Sequence, residues 1–250
     1  MTEHVLIERR GAVQVIRMNR PEKKNAITRA MYAAMARALT DGDADPGVHC
    51  HVFLGVPGAF SAGNDLADFL AVATGGENST DVWEFLIALA SAAKPIISGV
   101  DGIAVGIGTT LNLHCDLTFA TSRTVFRTPF VDLGLVPEAG SSLLVPKLMG
   151  RQRAFALLCL GEGFSATMAK DAGLIYEVVD EADLEARVFA AAEQVAAKPV
   201  QALKISRDLL RGSSEEIVNR IREEGTHFRE RLTSEEAHGA LTAFMSRKKA

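Results

Sequence analysis

The chain has 250 residues, 48% hydrophobic and 23% charged, which is enough apolar material to bury a sizeable core and too much for a disordered segment. A formal net charge of −4 supplies no global positive field, so no nucleic-acid partner is expected, and any anionic ligand must be held by local groups. Cys50, Cys115 and Cys159 are too scattered for a disulfide framework or a zinc site, which points to reduced thiols and a cytoplasmic location, with no metal. No apolar run reaches the length of a membrane span. Met1 to His4 shows no basic region leading into an apolar one, so neither a membrane partner nor a secretory signal is expected.

Val5 to Ile7 and Val13 to Met18 alternate as strands around Arg10-Gly11 and predict a hairpin. Thr28 is placed to cap a helix with Met31, Met35, Ala38 and Leu39 on one face, ended by Asp41-Gly42-Asp43. Val48, Cys50, Val52 and Leu54 alternate as a strand. A glycine-punctuated loop from Pro57 then runs into a helix near Leu70, and the stretch from Val72 to Thr80 predicts a mobile connection. A helix carrying Val82, Phe85, Leu86 and Leu89 precedes an apolar strand at Ile96 to Val100. A second glycine loop, a short helix to His114 and a strand at Leu117 to Thr121 follow. Strands alternating with helices predict an α/β fold with a largely parallel sheet covered on both faces. Beyond residue 140 the pattern is mainly helical, with Pro199 at a helix start and charged helices over Ser214 to Arg231 and Ser234 to Lys249.

Two junctions stand out because each runs from a strand through a glycine turn into a helix. They are Phe60-Ser61-Ala62-Gly63-Asn64-Asp65-Leu66 and Gly102-Ile103-Ala104-Val105-Gly106-Ile107-Gly108-Thr109-Thr110. Amides entering a helix have no intrahelical acceptor and sit in the positive end of its dipole. Two such amides converging on one point make an oxyanion hole, worth about 3–4 kcal/mol per donor in acyl chemistry. Gly106-Ile107-Gly108 lacks the third glycine of a dinucleotide fingerprint, and no P-loop is present.

The first loop, with Asn19-Arg20-Pro21-Glu22-Lys23-Lys24-Asn25-Ala26-Ile27 upstream, and the second, from Val100-Asp101-Gly102 to Cys115-Asp116, resemble the enoyl-CoA hydratase/isomerase (crotonase) superfamily along essentially the whole chain. The resemblance implies a crotonase-like ββα spiral core over residues 1–195 and a helical C-terminal trimerisation region over 196–250, in a homotrimer or a hexameric dimer of trimers. It also implies a coenzyme A thioester substrate, with no cofactor beyond the coenzyme A of that substrate, and a place in fatty acid and lipid metabolism. The oxyanion hole carries over to the backbone amides of Asn64 and Ile107. Coenzyme A contacts carry over to Lys24, Ala26, Ala62, Asp65 and Leu66, where Lys24 can meet a phosphate as a point charge.

Departures from the family pattern point to the reaction. The two glutamates that hydratases use on water fall here at Thr110 and Phe130, neither of which is a base. A different carboxylate stands in Gly134-Leu135-Val136-Pro137-Glu138-Ala139-Gly140-Ser141-Ser142. This segment resembles the peroxisomal-type Δ3,Δ2-enoyl-CoA isomerases, in which the glutamate matching Glu138 is the base. One carboxylate suffices to move a proton from C2 to C4 of a 3-enoyl thioester, and an apolar wall of Phe130, Val131 and Leu135 would raise its pKa. The alternative for Glu138 is a helix cap before Gly140. Asp132 is the rival carboxylate, and Trp83 and Phe85 either line an acyl channel or pack a helix. The alternatives for the whole chain are another crotonase-type reaction, hydration or hydrolysis, or acyl-CoA binding without catalysis.

Overall fold

A computed structural model describes residues 2–65, 67–68 and 80–247 of the chain. The expected hairpin forms from β1 (Val5–Arg10) and β2 (Val13–Met18), antiparallel from Val5 opposite Met18 to Arg10 opposite Val13. Three strand pairs then repeat one scheme, each strand of a first sheet followed by a short strand of a second. These are β3 (Cys50–Leu54) with β4 (Ala59–Ser61), β5 (Ile96–Val100) with β6 (Ile103–Val105), and β7 (Leu117–Thr121) with β8 (Val125–Arg127). With β9 (Phe164–Ser165) and β10 (Glu177–Val179), the sheets run in the orders β1-β2-β3-β5-β7-β10 and β4-β6-β8-β9. All pairings are parallel except β1 with β2 and β8 with β9.

Both faces of the larger sheet are covered, which is why β3 and β5 are buried at every residue. On one face lie α1 (Arg29–Ala44) and α2 (Asp81–Ser91), whose Tyr32, Met35 and Phe85 join Phe53 and Ile96 in the main core. On the other, α7 (Leu184–Ala196) seats Val188 and Ala192 on Val15, Val52, Ile97 and Phe119. Each of the larger apolar side chains here, the valines, Ile97 and Phe119, contributes about 1.5–3 kcal/mol on burial. Thr28 caps α1 by accepting from the Met31 amide at 3.3 Å, as expected, but the helix does not stop at residues 41–43. It runs on to Ala44 because Gly42 is buried, where a β-carbon would come within 2.5 Å of His51, and because Asp43 finds partners in His51 and the amides of Ala93 and Lys94.

The remaining helices are α3 (Ile107–Thr110), α4 (Ser141–Met149), α5 (Arg151–Leu158), α6 (Ala166–Asp171), α8 (Val200–Arg211), α9 (Ser214–Leu232) and α10 (Glu235–Arg247). α8 starts directly after Pro199, yet its Val200, Ile205, Leu209 and Leu210 are exposed on this chain. α9 and α10 fold back over residues 131–142. Phe228, Leu232, Ala237 and Leu241 form a small core with Leu135 there, and Trp83 of α2 packs edge-on against Phe228. Trp83 and Phe85 are both packing residues, since Phe85 is fully buried between Tyr32 and Phe53. Of the connection expected over Val72 to Thr80, residues 72–79 lie outside the described residues, as does the helix expected near Leu70.

Candidate active site

The first glycine loop is stitched to residues 24–27. The Ala62 amide donates to Lys24 O at 2.9 Å, the Ile27 amide to Gly63 O at 2.8 Å, and the Asp65 amide to Ile27 O at 3.0 Å. Beneath them Asn25 is buried in a left-handed conformation, φ +54°. Its Nδ2 lies 3.0–3.3 Å from the carbonyls of Met18, Ala59 and Phe60, and its Oδ1 accepts from the Arg20 amide at 2.7 Å. Arg20 joins Asp65 at 2.6 Å and Ala26 O at 2.9 Å. Burial pushes the Asp65 carboxyl up, but the Arg20 guanidinium and the Ala67 amide outweigh it and hold it below the usual carboxylate range. Lys24, Ala26, Ala62 and Asp65 are thus brought together, with the Lys24 side chain exposed, whereas Leu66 lies outside the described residues.

The second loop abuts the first. A β-carbon on Gly63 (φ +90°) would sit 3.0 Å from Val105 O, one on Gly108 2.8 Å from Ser61 O, and one on Gly106 (φ +56°) 4.0 Å from Gly63 Cα. The positive φ favours glycine at Gly63 and Gly106, and at Gly63 and Gly108 a side chain would press on the facing backbone. The Gly106 amide donates to Arg127 O at 2.8 Å, which fixes the entry to α3. Among the described residues, neither the Asn64 nor the Ile107 amide donates to another group of the chain.

Glu138 is 2% exposed, and its Oε1 accepts from the Thr110 hydroxyl at 2.5 Å. Burial pushes its pKa up to about 8. The Thr110 hydrogen bond works against that rise, and the charge of Glu224 works with it. The helix-cap alternative does not describe this carboxylate, because Gly140 stands at the N-cap of α4 and Glu224 takes the first amides. It accepts from Gly140 N at 2.6 Å, Ser142 N at 2.9 Å and Ser142 Oγ at 2.6 Å. Between them Ala139 is left-handed, φ +62°, and its carbonyl faces His114 Nε2 at 2.8 Å. Burial pushes His114 down to about 4, so the neutral ring donates through Nε2. Its Nδ1 finds no partner among the described residues.

Asp132 is half exposed and paired with Arg127 at 3.1 Å, sharing no hydrogen bond with Glu138. Phe130 and Leu135 are buried, but Val131 is exposed and belongs to no wall around the base. Sequence reasoning missed Tyr32, Asn25 and Glu224. Tyr32 is buried and donates a short hydrogen bond to Asn64 Oδ1. Burial, with Glu138 and Asp68 adding to it, holds its phenol well above the ordinary value, hence protonated. A hydroxyl on an otherwise apolar helix face was the available signal for Tyr32. Glu224 gave none, standing in a run of charged residues.

A ββα spiral with two abutting glycine loops and a buried carboxylate defines a class as well as a site. Residues 8–250 match the enoyl-CoA hydratase/isomerase family model, and the chain belongs to that family, with the crotonase fold. It is 36% identical over 250 residues to enoyl-CoA delta isomerase 2 of Rattus norvegicus, covering 98% of this chain and 64% of that protein, so the chain spans under two thirds of that relative's length. It is 32% identical over 248 residues to 4-chlorobenzoyl coenzyme A dehalogenase-2 of an Arthrobacter species, covering 92% of this chain and 89% of that one. Among solved structures, OdaA of Pseudomonas aeruginosa superposes with a TM-score of 0.93 at 40% identity, over 98% of this chain and 99% of that one. Among the described residues, no helix is long and apolar enough to cross a membrane.

Proposed function

We propose that the protein is an acyl-CoA isomerase that shifts a C3–C4 double bond to C2–C3 with Glu138 as its single acid-base group. The observation that carries this reading is a buried carboxylate, raised to a pKa of about 8, bonded to a hydroxyl of the short helix that begins at Ile107. Glu138 takes the C2 proton of a 3-enoyl thioester. The C2–H bonding pair becomes the C1–C2 double bond and pushes the carbonyl pair onto the thioester oxygen, which the amides of Asn64 and Ile107 hold as an oxyanion. The dienolate then collapses, with the same proton returned at C4. A base titrating near the working pH gives and takes the proton with little penalty in either direction. Hydration would need a second group to handle water, and Thr110 and Phe130 cannot supply one. The similarity to the rat delta isomerase supports the double-bond shift. The similarity to the dehalogenase is why the reaction is argued from the site and not from the family.

Lys24, Ala26, Ala62 and Asp65 form the side of the site that receives coenzyme A in this reading, and Leu66, the next residue in the chain, is assigned to the same contact by the family resemblance. Purified protein is expected to convert trans-3-hexenoyl-CoA to the 2-enoyl product with little hydration of trans-2-hexenoyl-CoA. Glu138→Gln should lower that rate about 10³-fold while coenzyme A esters still bind. No conversion by the wild type would sink the isomerase reading. The exposed apolar residues Val200, Ile205, Leu209 and Leu210 of α8 suit a homo-oligomer, trimer or hexamer. Light scattering that returned a monomer at micromolar concentration would remove that part.

A further inference from the structure

Glu138 reaches the site at the end of a turn with little to hold it locally. Ala139 and Gly140 are both left-handed, φ +62° and +70°, and Ala139 stands there against its own preference. What holds the turn comes from α9, some eighty residues further along. Glu224 takes the amide of Gly140 and both the amide and the hydroxyl of Ser142, at 2.6–2.9 Å. Glycines seat α9 on both sides of this contact. A β-carbon on Gly140 would lie 3.2 Å from Ile217, and one on Gly225 3.0 Å from the Trp83 ring. Glu224 is a nearly buried carboxylate at the positive end of α4, so it serves as the acceptor that the helix needs, and it does so immediately beside the base.

We propose that Glu224, which touches no substrate, is the positioning residue of the Glu138 base, anchoring the turn that presents it and adding a negative charge to its surroundings. This rests on the reading of Glu138 as the base. The groups facing Glu224 leave its charge in place. Ser142 and Gly140 of the α4 end donate to it. Arg220, one turn back on α9, reaches Ser142 Oγ at 3.3 Å and pairs with Glu223 at 3.1 Å. Lys147 of α4 is engaged by Glu216, and Glu84 of α2 by Thr80. Asp81 of α2 lies 3.4 Å from Arg29, and α2 presents the Trp83 ring to α9 at Gly225. Around Glu138 itself stand Thr110, Tyr32 and Glu224, with the neutral His114 on the next carbonyl. Burial raises the Glu224 pKa above the ordinary value, against the pull of its donors and of Arg220. The donors all point hydrogens at oxygen, the arrangement of an ionised acceptor.

Two variants separate the parts. Glu224→Gln removes the charge at constant size, so Glu138 ionises more readily. The acid limb of kcat/KM should move down by on the order of half to one pH unit, with a lower plateau because one amide loses its acceptor. Glu224→Asp keeps the charge but shortens the reach. Its acid limb should stay in place while kcat falls about tenfold at nearly constant KM. The Glu138 carboxyl is also titrated by isotope-edited infrared spectroscopy in the wild type and Glu224→Gln, a readout that needs no turnover. A folded Glu224→Gln protein with an unmoved titration overturns the proposal. So does Glu224→Asp with wild-type kcat, which decides the matter if the glutamine variant does not fold. A wild type without isomerase activity whose Glu138 titration still moves in Glu224→Gln would instead cost the functional reading alone.

Discussion

Residues 61–65 and residues 138–142 face the same site and are held there by opposite means. The first loop is tied to its neighbours 24–27 through backbone bonds, with a buried amide, Asn25, and an ion pair, Arg20 with Asp65, supporting it. Most of its partners are peptide groups, brought in from a segment that lies 34 or more residues earlier. The second segment is held chiefly by side chains instead. Thr110 takes its carboxylate and His114 its strained carbonyl, from 28 and 25 residues back, while Glu224 takes its helix amides from 84 residues ahead. One side of the site is a backbone surface, while the other is a single charge whose chemistry is set by what surrounds it. Damage to the first should therefore appear as lost stability, and damage to the second as a changed pH dependence.

The largest loss of stability expected at neutral pH breaks the first side. Asn25→Ala leaves buried carbonyls of Met18, Ala59 and Phe60 without their donor and puts alanine at φ +54°. Chemical denaturation should show a loss of about 3 kcal/mol. A loss below 1 kcal/mol would mean the loop does not depend on its side-chain support.

The next sharpens the second side through stability, where the sign runs the other way. Glu138 has a folded pKa near 8, above its ordinary 4.5, so the folded state holds the proton more tightly than the unfolded chain. That advantage is complete below the unfolded value and is lost as pH rises toward 8. Glu138→Gln, which pays no such cost, should stay close to the wild type near pH 4 to 5 and exceed it by roughly 3–5 kcal/mol at pH 8–9, from about 1.4 kcal/mol per pH unit over the full shift. Equal thermal melts of the two proteins at both pH values would contradict the burial of an ionising group here.

The smallest effect isolates one hydrogen bond. Thr110→Val removes the hydroxyl that favours the ionised carboxylate, so the acid limb of isomerisation should move up in pH. The rate near pH 7 should fall several-fold, about the worth of one charge-assisted bond, and recover at higher pH. A uniform loss at every pH would assign Thr110 to packing alone.

Much of the first side was legible in the chain as written. Glycines at turns, a Thr cap and alternating apolar runs act over a few residues, and the hairpin, α1, β3, β5 and both glycine loops follow from them. The same locality misled at Asp41-Gly42-Asp43, which has the composition of a helix stop but continues α1, because His51 and the chain at 93–94 receive it. Glu138 could be singled out as a carboxylate in an apolar stretch. Its burial, its raised pKa and the charge beside it could not, since they depend on α9 and α3 arriving at the same place. Short-range sterics and hydropathy are properties of neighbouring residues and so are carried by the sequence itself. A pKa is a property of the local dielectric and of nearby charges, and only the tertiary structure, by setting Glu224, Thr110 and Tyr32 around one carboxylate, decided it.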